Sequence, residues 1–236
     1  QNHNLKAGLD YFLNSRSTVG VVLDGFHNQS NRETNTRTPI IPEGTGDPTS
    51  ILTAQNFNDA TNRQGFINGN YRFRDTTGTT FSVDLDYGKY LSDRTSLQPN
   101  QYLDPTETIT LSENNFRMVQ PLEVRIASAK ADLEFNWGEF RITSGVKYYD
   151  VLTNNQFDFY DVDGDEEVLN TDRSNDFSYD ENVYAAYATA NRKWKKWNVK
   201  VGLRAEQTLS EGRLTAFTPQ DNEVVTRSYL NLFPSG

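Results

Sequence analysis

Residue polarity that alternates with period two, connections that run short and long in turn, and aromatic side chains gathered beside the short turns predict an all-β chain. The architecture they point to is an antiparallel transmembrane β-barrel segment. It has about eight to nine up-and-down strands, short periplasmic turns and long extracellular loops, and it forms an incomplete barrel.

Composition alone suggests something else. The chain has 236 residues and a formal net charge of −9, with a mean hydropathy of −0.73 and a pI near 4.8. Those values suit an acidic water-soluble protein. No run approaches the ~18 consecutive apolar residues of a membrane-spanning helix. A barrel strand crosses with only ~9–11 residues, half of them facing a polar interior, so ordinary hydropathy does not exclude membrane insertion. Aromatic residues make up 12% of the chain, chiefly Phe and Tyr, which favours strands over helices. With no Cys there is neither a disulfide nor a thiolate metal site. The opening QNHNLKAGLDYF already alternates like a strand and has no signal-peptide pattern, so the expectation is an internal piece of a longer protein.

Each element follows from the same period. In LKAGLDYFL, Leu5, Ala7, Leu9, Tyr11 and Leu13 alternate with Lys6, Gly8 and Asp10. After the turn Asn14-Ser15-Arg16, Val19, Val21 and Leu23 form one face. GFINGNYRFR enters the turn at Asp75–Gly78, and TTFSVDLDYGKYL leaves it with Phe81, Val83, Leu85 and Tyr87 against Ser82, Asp84 and Asp86. ASAKADLEFNW ends at Trp137, turns at Gly138-Glu139 and returns through Phe140, Ile142, Val146 and Tyr148. NVYAAYATANRKW turns at Lys195-Lys196 into NVKVGLRAEQT; the small residues of VYAAYATA would also suit a helix, but its neighbours and short turn fit a hairpin. Between these hairpins the polar segments 28–62, 92–118, 154–177 and 210–227 read as loops, rich in Asn, Thr, Asp, Gly and Pro. Loops of that length count against a compact soluble domain, and their strict alternation with short turns suits an outer-membrane barrel.

Aromatic placement is an independent check. All three tryptophans, Trp137, Trp194 and Trp197, sit beside short turns, with Phe140 next to Trp137 across one of them. Indole prefers the headgroup level, so these read as membrane-interface residues, with Tyr148 marking the opposite rim. Eight steps separate Phe140 from Tyr148. At ~3.3 Å per residue and a tilt near ~40°, that is roughly 20 Å along the membrane normal, close to the ~25 Å apolar band of such barrels. The lipid-facing set is then Phe81, Val83, Leu85, Leu133, Val199, Val201 and Leu203, and the lumen-facing set is Asp84, Asp86, Lys200, Arg204 and Glu206.

Several stretches resemble a known family. AGLDYFLNSRSTVG, YDENVYAAYATANRKWKKWNVKVGLRAEQT and SYLNLFPSG are similar to the barrel region of TonB-dependent receptors of the Bacteroidetes outer-membrane beta-barrel type. The most specific part runs from Tyr179 to Thr208, followed by Leu232-Phe233-Pro234-Ser235. The resemblance implies a barrel of about 22 strands with an N-terminal plug, located in the outer membrane of a Gram-negative bacterium and importing a scarce nutrient such as a siderophore, oligosaccharide or peptide. It also implies partners: outer-membrane lipid, the TonB complex through a plug region not in this chain, and a substrate-capture surface lipoprotein. On that basis residues 1–236 are part of one barrel domain, with plug and remaining strands absent. No substrate-binding residue carries over, because such residues lie in plug and loops that vary widely.

Little else in the sequence suggests chemistry. Only His3 and His27 are present, with no GxSxG, HExxH or P-loop pattern, so no catalytic, cofactor or metal site is expected. His27 reads as a solvated residue near a loop end. Asp161, Asp163, Asp165 and Glu167 alternate in an acidic stretch that superficially resembles a calcium loop, but Gly164 falls in the wrong position and a solvated loop explains it. The basic cluster Arg192, Lys193, Lys195, Lys196 lies beside Trp194 and Trp197, which fits a turn at lipid headgroups; the chain's net negative charge argues against nucleic acid. Other classes in play are a non-transporting barrel or surface protein for secretion, assembly or adhesion, and a soluble β carbohydrate-binding domain.

Overall fold

The computed structural model describes residues 1–44, 46–217 and 222–236. They form one antiparallel sheet whose main path is β1-β2-β3-β4-β7-β8-β10-β11-β12. Its nine strands are β1 (Asn2–Asn14), β2 (Ser17–Ile40), β3 (Ser50–Arg74), β4 (Thr80–Gln98), β7 (Asn115–Trp137), β8 (Phe140–Asp163), β10 (Asn175–Trp194), β11 (Trp197–Ala216) and β12 (Glu223–Ser235). Three short strands, β5 (Asn100–Leu103), β6 (Thr110–Glu113) and β9 (Glu166–Leu169), decorate the connections. Every neighbour on the path is also the next long strand in sequence, so the topology is a plain meander. The path begins at β1 and ends at β12, which do not pair with each other, so the barrel is open. VYAAYATA is strand, paired residue for residue with both β8 and β11.

The polar segments 28–62, 92–118, 154–177 and 210–227 are loops over only part of their length, and those bounds are corrected; within them residues 45 and 218–221 lie outside the described residues. Most of their length continues the strands: β2 runs to Ile40 and β3 starts at Ser50. The long strands at that end stop at Ile40, Gln98, Asp163 and Ala216 and resume at Ser50, Asn115, Asn175 and Glu223, and two of the intervals carry short strands. The physical reason is that backbone pairing does not require an apolar face. Once a hairpin is registered by its membrane segment, polar residues extend the ladder into water at no desolvation cost. At ~3.3 Å per residue, the 24 residues of β2 reach about 80 Å, far more than a bilayer needs.

The other end is tight. Trp137 pairs with Phe140 and Trp194 with Trp197, leaving two residues to turn each hairpin. Both turns need a left-handed backbone at their first residue, met by Gly138 (φ 59°) and by Lys195 (φ 52°). The third turn is held by Asp75, whose carboxylate accepts hydrogen bonds from the amides of Thr77 (2.9 Å) and Thr79 (2.8 Å) and from the Thr77 hydroxyl (2.8 Å).

Asp104 repeats this device in the β5–β6 turn, taking the Thr106 hydroxyl and the amides of Thr106, Thr108 (2.8 Å) and Ile109 (2.7 Å). The long connections are tied down further out as well. Arg37 pairs with Glu107 at 2.5 Å and Arg117 with Glu167 at 2.5 Å. Phe159 is buried between Phe116, ring centroids 5.0 Å apart, and the Arg173 guanidinium 3.6 Å above its ring. Ser174 closes that joint by accepting the Phe159 amide at 2.9 Å.

Glycines reveal which way the sheet curves. A Cβ on Gly20 would fall 2.5 Å from Asp10 Oδ1, one on Gly145 2.5 Å from Tyr187 Oη, and one on Gly202 2.8 Å from Ser235 Oγ. On the opposite face, Gly65 and Gly69 have nothing within 4 Å. Side chains therefore converge on the face that carries Gly20, Gly145 and Gly202, which is the inside of the curve. Buried Val183, Ala185 and Thr208 lie on the same side.

Two outcomes check this account. Gly145→Val pushes Tyr187 off Asp132 and is expected to destabilise the folded barrel by about 1–3 kcal/mol in urea unfolding from lipid vesicles, through overpacking, whereas Gly69→Val on the open face has little effect. Asp104, held down to about 2 first by the Thr106 hydroxyl and then by the Ile109 amide, gives a turn whose carboxylate contribution is complete above the ordinary ~4 and is lost as pH falls toward 2; its carboxyl carbon resonance titrates with a midpoint near 2, and a midpoint near 4 contradicts the cage.

Candidate functional site

The candidate site is the sheet itself, because its two faces differ in chemistry from one edge to the other. Residues paired across an antiparallel ladder share a face, and successive residues alternate between faces. Along the main path the register is unbroken from β2 to β12 among the described residues, so one assignment holds across it; shifts occur between Phe12 and Asn14, where Leu13 leaves the alternation, and off the path between Tyr102 and Leu103.

One face is apolar. Phe81 pairs with Leu133, Val83 with Ala131 and Leu85 with Ala129. Val199, Val201 and Leu203 stand beside Arg192, Ala190 and Ala188. All seven residues expected to be lipid-facing thus occupy the convex face, and all five expected interface aromatics share it. They are exposed rather than covered by a second layer: Leu85 by 55% and Val201 by 54%, Trp137 by 72% and Trp197 by 71%. At the far rim, Tyr148 and Tyr184 are register partners with ring centroids 5.0 Å apart, and the Tyr148 hydroxyl donates to Asn182 Oδ1 at 2.7 Å. Beyond this rim the same face turns polar, with Lys89, Glu123 and Arg125 joined by ion pairs of 3.1 and 3.2 Å.

The concave face is polar and cross-linked. Asp84, Asp86, Lys200, Arg204 and Glu206 all lie on it. Asp86 accepts from Asn68 Nδ2 at 2.6 Å and from the Ser128 hydroxyl at 2.8 Å, so it ties β3 and β7 to β4. Lys130 pairs with Asp132 at 2.6 Å, and the Tyr187 hydroxyl reaches Asp132 from β10 across Gly145 of β8. Arg204 stands 5.3 Å over the Tyr187 ring and pairs with Glu206. This chain of partners through Lys130, Asp132 and Tyr187 is not evident from alternation alone. The available signals are the K-x-D spacing in ASAKADLEFNW and a glycine at the strand position between Asp132 and Tyr187, which only register brings together.

His27 lies well inside β2, not at a loop end, and stacks on its register partner His3 at 6.4 Å. The acidic stretch is a hairpin: Asp163 pairs with Glu166 around Gly164 (φ 60°), Asp161 accepts from Asn170 and Glu167 is taken by Arg117. Among the described residues no group of three or more His, Asp or Glu side chains is placed to hold a metal ion.

Among solved structures, the chain is similar to the siderophore receptor PiuA from Acinetobacter baumannii, with a TM-score of 0.44 and 10% identity over 98% of this chain and 44% of that one. It is also similar to the ferric yersiniabactin uptake receptor FyuA from Yersinia pestis, with a TM-score of 0.41 and 10% identity over 99% of this chain and 41% of that one. The chain therefore spans less than half the length of either. No curated protein matches it. A family model does match, over residues 71–236, and on that match the chain belongs to the outer membrane protein beta-barrel family.

Proposed function

We propose that this chain is part of the wall of a TonB-dependent nutrient uptake receptor, importing a siderophore, oligosaccharide or peptide. The observation that supports this best is an outer-membrane sheet of nine long strands with both edges still unpaired and a charged, cross-linked concave face. Hydrocarbon cannot hydrogen-bond an exposed strand edge, so further strands must complete the ring. A barrel that large is too wide to be filled by its own side chains, and its lumen holds either a channel or a plug. In this reading residues 1–236 belong to one barrel domain, and the plug that engages the TonB complex lies outside them.

The wall has two tasks in such a machine. Its convex face meets lipid through Phe81, Val83, Leu85, Leu133, Val199, Val201 and Leu203, with Trp137, Trp194, Trp197 and Phe140 at the periplasmic interface and Tyr148 at the outer one. Its concave face, through Asp84, Asp86, Lys200, Arg204 and Glu206, lines a wet or plugged interior. The strands that continue past the Tyr148 rim carry the vestibule outward, where a solute is first met.

Two measurements test this. Val201→Arg in the full-length protein is expected to cost about 2–4 kcal/mol of folding free energy in bilayers and to reduce the heat-modifiable folded band, while Lys200→Ala leaves both close to wild type. Deleting the gene in its host is expected to abolish uptake of one labelled siderophore, oligosaccharide or peptide, and inactivating TonB should reproduce that loss; unchanged uptake together with lost adhesion or secretion would replace the transport reading.

A further inference from the structure

The polarity of the sheet reverses outside the membrane. Up to the Tyr148 rim the convex face is apolar and the concave face charged. On the outer parts of β10, β11 and β12 the concave face instead carries Phe177, Tyr179, Leu214, Val225 and Tyr229, while Asp180, Glu211, Arg213, Thr226 and Ser228 lie on the convex face. A convex face that has left hydrocarbon meets water, which accounts for its polar residues. The concave face is wet as well, yet Phe177, Val225 and Tyr229 are exposed on it. Packing within the sheet does not explain them, because no second layer of the described residues covers that face.

These five side chains line a recess of about 310 Å³ together with Ser210, Gly212, Glu223 and Arg227. Gly212 is its floor: ring carbons of Phe177 lie 3.7 Å and of Tyr179 3.9 Å from where a Cβ would stand, so both rings lean over the glycine. The Tyr179 hydroxyl donates to Glu181 Oε2 at 2.7 Å, which holds its ring in place. Glu223 and Arg227 stand at the two ends of the β12 side, and among the described residues neither forms an ion pair. Ser210, Gly212 and Leu214 are 13, 15 and 17 residues from Trp197 at the short turn, beyond the ~9–11 residues a strand uses to cross the membrane. The recess therefore belongs to the vestibule and does not need an open lumen at membrane level. A strand pairing outside β12 extends the wall sideways and leaves the bed uncovered.

We infer that this recess is a saccharide-binding site, with Phe177, Tyr179 and Tyr229 as its stacking bed and Ser210, Glu223 and Arg227 as partners for sugar hydroxyls. A pyranose ring has an apolar C–H face and an edge of hydroxyls that each donate and accept. Aromatic side chains with polar tips suit the face. A carboxylate that only accepts, a guanidinium that only donates and a serine that does both suit the edge. The volume falls at the small end of ligand pockets, roughly 300–1,000 Å³. The other two solute classes fit less well. An extended peptide is gripped through a free strand edge, and the backbone of β10 and β11 is already engaged in the ladder. An anionic metal chelate would meet Glu223, and Glu181 beside Ser210, against the single guanidinium of Arg227. The site deepens the transport reading, on which the fate of the bound sugar rests, and narrows its solute to an oligosaccharide.

The test applies the full-length receptor in detergent micelles to an array of neutral gluco-, manno-, xylo- and galacto-oligosaccharides, and titrates the strongest binder calorimetrically. Saturable binding of at least one series is expected. Tyr229→Ala should weaken it about tenfold, the loss of one stacking partner. Arg227→Ala should weaken it as well, Gly212→Leu should fill the recess and abolish it, Tyr229→Trp should retain it, and Thr226→Ala on the convex face should leave it unchanged. Heat-modifiable migration reports that each variant has closed its barrel, and Arg227→Ala keeps the test open should Gly212→Leu fail to do so. No binding anywhere on the array overturns the site, as does wild-type affinity in Tyr229→Ala and Arg227→Ala. Binding of the tripeptide Ala-Phe-Ala or of ferric citrate that depends on these residues, with no sugar bound, overturns the saccharide assignment. Sugar binding without TonB-dependent uptake removes the transport role and leaves the site; TonB-dependent uptake of another solute without sugar binding does the reverse.

Discussion

A peptide group in hydrocarbon has no water to bond, so every N–H and C=O that enters the membrane must find its partner in the protein. In this chain that constraint is met by a ladder of adjacent antiparallel strands whose register is continuous from β2 to β12. Because side chains alternate strictly along each strand, one continuous register also fixes which residues share a face. Val83, Leu133, Ala131 and Val201 fall together on one side, and Asp84, Lys130, Asp132 and Lys200 on the other. The apolar belt, the aromatic rims and the charged concave surface all depend on that single feature.

Curvature then gives the two sides different freedom. On the concave side neighbouring side chains crowd, so glycine at 20, 145 and 202 leaves gaps that side chains of the two adjacent strands fill. Tyr187 uses the gap over Gly145 to reach Asp132, which links β10 to β7 without touching a side chain of β8. On the convex side, glycines at 65 and 69 face open space, and bulky Leu, Val and Trp project freely. Large apolar groups outside and small or polar groups inside are what a wall between lipid and an aqueous interior requires.

The membrane-crossing parts of the fold were legible because period two is strong there and a one-residue slip would reverse every face. Trp137, Trp194 and Trp197 marked the short turns as well, each standing in the last pair of a hairpin. The polar extensions of β2, β3, β8 and β11 were not legible, since residues such as Asn28 to Arg37 alternate in nothing that water distinguishes. They pair because the hairpin beneath them is already in register, which is information held elsewhere in the chain. Of the concave network, Asp84, Asp86, Arg204 and Glu206 could be read from alternation. The opposition of Lys130 and Lys147 could not, because it depends on how far two strands slide past each other.

The central claim is that the convex face is solvated by hydrocarbon and the concave face is not. The chain contains no cysteine, so single spin labels can be attached at Leu85, Leu133, Val201, Asp84 and Lys200 after substitution to Cys in the full-length protein reconstituted in vesicles. Collision rates with lipid-soluble oxygen and with a water-soluble nickel chelate measure each label's surroundings directly. Labels at 85, 133 and 201 should be reached by oxygen and shielded from nickel, with the reverse or general shielding at 84 and 200. Equal access of the nickel chelate to both sets would contradict the account.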